Sequence, residues 1–376
     1  MRNCLLPLCL AVIITSCRTG PEGQTNGTGV YYWKTSLDFD RNDQRLADSL
    51  GITRFYLRYF DVDWSPTFGM AVPVGELQTG WDQPMAGIED FQTIPVVYIA
   101  NRVFTHDQDV DELAGKISDK LKRMNDNVSY SVYASAWQEG RPDLAELPAE
   151  QLSQEVDSLQ DRFLRQVREI QIDCDWTPES REAYFRFLNA MKEKNPGLEI
   201  SFTLRLHQFR DPDGAGVPPL KKAVLMCYNV APVHEKETVN AIFDPALIEG
   251  YLKRGDYPLE MDAALPLFTW GALFHEDRFK GLASGLSPED VTDNPLFEKA
   301  GENRYRFLKD TVFYDQFMRE GDIVRMDGPT VEGLKSVTDR LAGISKVHSL
   351  LFFEWNPVKI RTYHAKEIKD AFQARR

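Results

Sequence analysis

Short runs rich in β-branched and aromatic residues alternate along this chain with amphipathic helical stretches, and that alternation restricts the fold more than any other feature. The runs are Val30-Tyr31-Tyr32-Trp33, Arg54 to Trp64, Ile94 to Ala100, Glu169 to Trp176, Glu199 to Leu206, Ala223 to Val230, one within Leu259 to Trp270, and Ser349 to Trp355. Between them, helices are predicted over Asn42 to Leu50 (closed by Gly51), Asp109 to Met124, Ala149 to Arg168, Asp244 to Arg254, Thr330 to Ala342 and His364 to Ala374. Another opens at Thr177-Pro178-Glu179 and closes at Asn195-Pro196-Gly197. Glycine suits the left-handed C-cap, and proline with an early acid suits the first helical turn. Strand–helix alternation implies a parallel sheet covered by helices. Eight such strands favour an α/β fold of the closed (β/α)8 TIM barrel type over a doubly wound open sheet. The stretch 274–343 is too long for a bare loop. Alternation in Tyr305 to Asp315 and Asp322 to Met326 predicts a β-containing insertion after the seventh strand; a separate small domain is the alternative.

The first residues read as a targeting segment. Arg2 precedes an apolar run from Leu5 to Thr15, too short to span a membrane as a mature helix. Ile14-Thr15-Ser16-Cys17 then matches a bacterial lipobox, so 1–17 is expected to be a lipoprotein signal with Cys17 as the lipidation site; an ordinary signal peptide is the alternative. Residues 18–29, rich in Gly, Thr and Asn, suit a flexible tether, which leaves 30–376 for the barrel. Arg at position 18 resembles signals sorted to the outer membrane, and the tether lacks the acidic cluster of surface-exposed lipoproteins. The expected location is therefore the cell envelope, lipid-anchored in the outer membrane and facing the periplasm.

With 376 residues, 43% of them apolar, the chain can bury a large core. A net charge of −13 argues against a nucleic-acid partner, which calls for a basic patch. No phosphate-binding glycine loop and no His or Cys ligand spacing is present, so neither cofactor nor metal is expected. Cys174 and Cys227 fall in apolar strands, where cysteine behaves as a small hydrophobe.

In a barrel of this type, functional groups come from strand C-termini and the loops beyond them. Five of the seven tryptophans, Trp33, Trp64, Trp176, Trp270 and Trp355, fall at predicted strand ends. Indole faces stack on the C–H faces of sugar rings; alternatively, large aromatics simply plug the barrel top. The sharpest motif is Gln171-Ile172-Asp173-Cys174-Asp175-Trp176. Side chains alternate along a strand, so Gln171, Asp173 and Asp175 share a face, with the two carboxyls about 7 Å apart. Like charges at that distance should raise one pKa and leave an acid beside a carboxylate, the division of labour used in glycoside hydrolysis. A structural network, with Asp173 paired to Arg205 or Arg58, is the bland reading. Asp175 is the candidate general acid, with Asp173 or Glu354 as its catalytic partner. Arg58, Asp61, Arg205, Tyr228 and Asn229 are candidate substrate-binding residues together with the five tryptophans. Tyr59, Asp63 and His207 are weaker candidates by position.

The first strand, the Gln171 to Trp176 strand and Ala264-Leu265-Pro266-Leu267-Phe268-Thr269-Trp270-Gly271 together resemble a bacterial lipoprotein family of unknown function regarded as glycosidase-like TIM barrels. The Asp173-x-Asp175 strand is also similar to the fourth strand of chitinase-type family 18 glycosidases, Asp-x-x-Asp-x-Asp-x-Glu. Here Ile170 stands for the first aspartate and Thr177 for the glutamate acid, so that mechanism does not transfer. The resemblance implies a glycoside hydrolase acting on an oligo- or polysaccharide by carboxylate acid/base catalysis. The alternative is a glycan-binding lipoprotein built on a barrel that no longer cleaves. The partner in either case is a carbohydrate, with membrane contact through the N-terminal lipid only.

Overall fold

The computed structural model describes residues 27–79, 85, 87–138 and 146–375. The signal, Cys17 and most of the tether lie outside the described residues. The eight barrel strands are β1 (Thr28–Tyr32), β2 (Ile52–Ser65), β3 (Gln92–Ile99), β4 (Glu169–Asp173), β5 (Glu199–Arg205), β6 (Lys222–Met226), β7 (Glu260–Pro266) and β8 (Val347–Phe353). Each pairs in parallel with its sequence neighbour, and β1 pairs with both β2 and β8, which closes the sheet into a (β/α)8 barrel.

Local chemistry explains the punctuation. Asp40 accepts from the amides of Asn42 and Asp43 at 2.7 and 2.9 Å to start helix Arg41–Leu50, and Gly51 ends it at φ 63°. A glycine reaches that left-handed geometry without Cβ strain. Asp244 and Thr330 cap helices Pro245–Leu252 and Val331–Ala342 in the same way. Helix Val110–Gln138 runs well past the predicted end at Met124. Asn125-Asp126-Asn127 has poor helix propensity, but Val128 and Val132 continue the buried stripe one turn apart, and packing outweighs propensity.

Charged side chains fill the N-terminal end of the barrel. Arg54 lies 2.7 Å from Asp262, Lys222 lies 2.7 Å from Glu169, and Ser349 and Ser201 each donate to one of those carboxylates at 2.6 Å. Two cations and two anions thus pair with one another at the floor. At the opposite end, β2 overruns the barrel and pairs antiparallel with Met70–Val74, a hairpin rising from the mouth.

The insertion begins at Trp270, just after β7. Its antiparallel sheet runs in the order Arg278–Ser284, Trp270–His275, Ile323–Asp327, Arg304–Phe307, Phe297–Lys299. It has its own small core, including Leu273, Phe307 and Val324.

Candidate active site

Alternation along β4 turns Gln171 and Asp173 into the barrel. Tyr31 donates to Gln171 at 2.8 Å, and Thr203 of β5 donates to Asp173 at 2.6 Å. Burial pushes the Asp173 carboxyl up from 3.8 to about 7; the Thr203 bond opposes this, and the neighbouring charge of Asp175 adds to it. Asp175 lies past the end of the strand, with 54% of its side chain exposed, and Arg205 Nε is 3.6 Å away. Arg205 also donates to the carbonyl of Asn229 at 3.0 Å, which ties the β5 and β6 exits together.

These residues line a basin at the barrel mouth whose walls include Trp33, Asp61, Tyr98, Tyr228 and Asn229. A second basin adjoins it, sharing Trp33, Asn229 and Phe353 and adding Thr269, Trp270, Glu354 and Lys359. Glu354 is half-buried, and burial raises its carboxyl pKa against the opposing pull of Lys34 and Arg58. Arg58 grips Asp61 through two contacts, and its guanidinium stands 5.4 Å from the centre of the Trp33 ring. The register shift between Arg58 and Phe60 lets both Arg58 and Asp61 face inward although they are three residues apart.

Trp270 is held from behind. Its indole N–H donates to Asp327 Oδ2 at 3.0 Å, and Arg325 binds both oxygens of Asp327 at 2.8 and 2.9 Å. Arg325, fully buried, also donates to the carbonyls of Val233, Glu235 and Thr238 in the loop after β6. The insertion thereby supplies one wall of the cleft, Trp270, and through Arg325 also holds the loop that follows β6.

Several expected site residues are elsewhere. Trp176 is buried against Tyr184, Phe185 and Phe202, and its N–H donates to Ala215 at 3.2 Å. The alternation that sends Asp175 inward sends its neighbour outward under the helices. Trp355 is buried against Phe39 and Phe55, because β8 ends at Phe353 and the chain turns before reaching it. Trp64 stacks on His106 at 4.1 Å, on the β2 hairpin side and outside both basins. Tyr59 points away from the barrel interior to Asn125, Asp63 pairs with Arg102, and exposed His207 lines neither basin. Conversely, Tyr98 of β3 lines the cleft beside Asp173, its register partner on the neighbouring strand, a position that the uniformly apolar run Ile94 to Ile99 did not single out. Arg325 and Asp327 carried no sequence signal beyond alternation. Cys174 and Cys227 are buried, and burial raises both thiol pKa values. Among the described residues, no cluster of three His, Cys, Asp or Glu could hold a metal.

No protein-family model and no curated protein matches the chain. Among solved structures, the chain is similar to the spore cortex-lytic enzyme SleL of Bacillus megaterium QM B1551 (14% identity, TM-score 0.45, covering 92% of this chain and 75% of that one). It is similar to SleL of Bacillus cereus at the same identity and TM-score, over 90% and 75% of the two chains. YKL-39, solved in the presence of chitooligosaccharides, aligns at 9% identity and TM-score 0.45 over 93% and 99%. The barrel assignment rests on the closed strand order, and the functional reading on the cleft.

Two expected outcomes test this geometry. Trp176→Ala should cost about 3–5 kcal/mol of stability, as for other buried aromatic truncations; Trp270→Ala, at a half-buried position, should cost clearly less. Urea denaturation separates the two. Asp173 supplies a pH signature. Its folded pKa lies above the unfolded one, so its contribution to stability is complete below about pH 3.8 and is lost as pH rises through about 7. Asp173→Asn removes that loss. Its stability relative to the parent should therefore rise across this window, by up to about 4 kcal/mol at about 1.4 kcal/mol per pH unit. A gap that stays flat between pH 4 and 8 would contradict the burial of an ionisable Asp173.

Proposed function

We propose that the cleft binds an oligosaccharide across Trp33 and Trp270 and hydrolyses a glycosidic bond by paired-carboxylate chemistry. The observation that carries this reading is one open cleft at the C-terminal mouth that combines two half-buried indoles with carboxylates in different environments. Glu354 is the better general acid. It is half-buried with a raised carboxyl pKa, whereas Asp175, first expected in that role, is open to solvent beside a guanidinium and suits the carboxylate partner. Asp173, only 7% exposed at the bottom of the basin and bonded to Thr203, acts through its neighbour Asp175 as a positioning residue.

A second reading, sugar binding without cleavage, is favoured by Thr177. This exposed residue lies two positions past Asp175, and its amide donates to Ser180 Oγ at 3.0 Å as part of a helix start. The position two residues beyond Asp175 therefore carries a hydroxyl where an acid would stand.

The test is release of reducing ends from bacterial, plant and host glycans by the full chain in mild detergent, with Asp175→Asn and Glu354→Gln alongside. Cleavage by the parent that is lost in the folded variants supports hydrolysis at this cleft. Binding without cleavage by the parent supports the second reading. We also propose that Cys17 carries lipid and holds the barrel at the periplasmic face of the outer membrane. Cys17→Ala is then expected to move the protein from the detergent phase to the aqueous phase in detergent phase partition; retention in the detergent phase would remove the anchor.

A further inference from the structure

The two halves of the cleft differ in charge. On the β4 side each arginine has its carboxylate: Arg58 holds Asp61, and Arg205 faces Asp175. On the Trp270 side, Lys34 and Lys359 have no carboxylate oxygen of the described residues within the 4.0 Å of an ion pair. Lys34 is exposed and lies 5.6 Å from the Tyr32 ring centre. Lys359 is half-buried and lines the basin itself. Its ammonium is 3.4 Å from Thr269 Oγ1. That hydroxyl spends its own hydrogen on the carbonyl of Leu286 at 2.7 Å, so it can only accept from the lysine. The remaining ammonium hydrogens have no protein acceptor among the described residues.

Glu289, exposed outside the basin, feels the charge of Lys359 only weakly. Its carboxyl is held low first by its own backbone amide and by Ser287, and only then by Lys359. In a chain of net charge −13, this basin is lined by one lysine, Lys359, and one carboxylate, Glu354; with no ion pair to Lys359 among the described residues, its charge stays available inside a concave wall, and clefts focus such fields.

We propose that the Trp270 basin takes a sugar ring bearing an acidic group, a carboxylate or a sulfate, with the ring on Trp270 and the anion on Lys359. Lys34, whose charge acts on Glu354, adds positive potential nearby. This rests on the reading of the cleft as a carbohydrate site and names the class of sugar. It is consistent with the role given to Glu354, because an anion in the same basin would favour the protonated form of that carboxyl.

The experiment is binding of the labelled full chain in mild detergent to an array of uronate-bearing, sulfated and neutral oligosaccharides. Each acidic glycan is paired with its carboxyl-reduced or desulfated form. The expected result is preference for the acidic member of a pair. Lys359→Met should then lose about tenfold to a hundredfold in affinity for it, the range of a charge-assisted hydrogen bond, a larger loss than for the neutral member of the same pair. Lys359→Arg should restore the preference, and Trp270→Ala should weaken acidic and neutral members alike. Whether uronate or sulfate pairs respond identifies the anion. Equal binding of both members, or acid preference undiminished in Lys359→Met, overturns the proposal and leaves the carbohydrate site standing. No binding to any glycan overturns both.

Discussion

Glu354→Gln is expected to lower glycosidic cleavage by about 10²–10⁴-fold, the usual contribution of a positioned general acid, while leaving the melting temperature nearly unchanged. Glutamine keeps the shape and the hydrogen-bonding edge of the side chain but has no proton to give to the leaving oxygen. Burial already disfavours charge at this position, so the amide should be tolerated. Because the Glu354 pKa is raised, the limb of the pH–rate profile that reports the acid should lie above that of an ordinary glutamate, and it should vanish in the variant. Asp175→Asn should be comparably damaging if Asp175 stabilises or attacks the sugar, yet it should leave that limb in place. If Asp175→Asn removes the limb and Glu354→Gln does not, the two roles must be exchanged.

Arg325→Ala should destabilise the protein by about 3–5 kcal/mol, the range for breaking a buried ion pair by removing one partner. The side chain binds Asp327 through two nitrogens and three carbonyls of the loop after β6. Deleting it strands a buried carboxylate and leaves those acceptors without a donor. The loss should be read by urea denaturation and accompanied by a change in the Trp270 environment, visible as a shift of the indole N–H resonance assigned with Trp270→Phe. A destabilised variant with that resonance unmoved would show that Asp327 holds the indole without Arg325. A variant of parental stability would mean that the clamp is not closed in solution.

Much of the fold was legible in the sequence because strand and helix periods are local. The spacing of apolar residues marked all eight barrel strands, and caps such as Asp244-Pro245 marked helix starts. The errors were at ends. β4 and β6 stop at Asp173 and Met226, short of the predicted Trp176 and Val230, because the apolar runs continue into loops that pack but no longer pair. The tryptophan count failed for a second reason. Trp33 and Trp270 reach the cleft, whereas Trp176 faces outward by the very alternation that turns Asp173 inward.

What the sequence by itself determined was the closed α/β barrel with its β-containing insertion and the inward face of β4, since each follows from periodicity over neighbouring residues. Tertiary structure alone decided that Glu354 and Asp175 line adjoining basins at the barrel mouth, that Arg325 reaches residues some ninety positions away, and that Lys359 meets Thr269 rather than a carboxylate. Periodicity says which way a side chain faces. It is silent on which distant segment will be there to meet it, because that depends on how the barrel and the insertion close around one another.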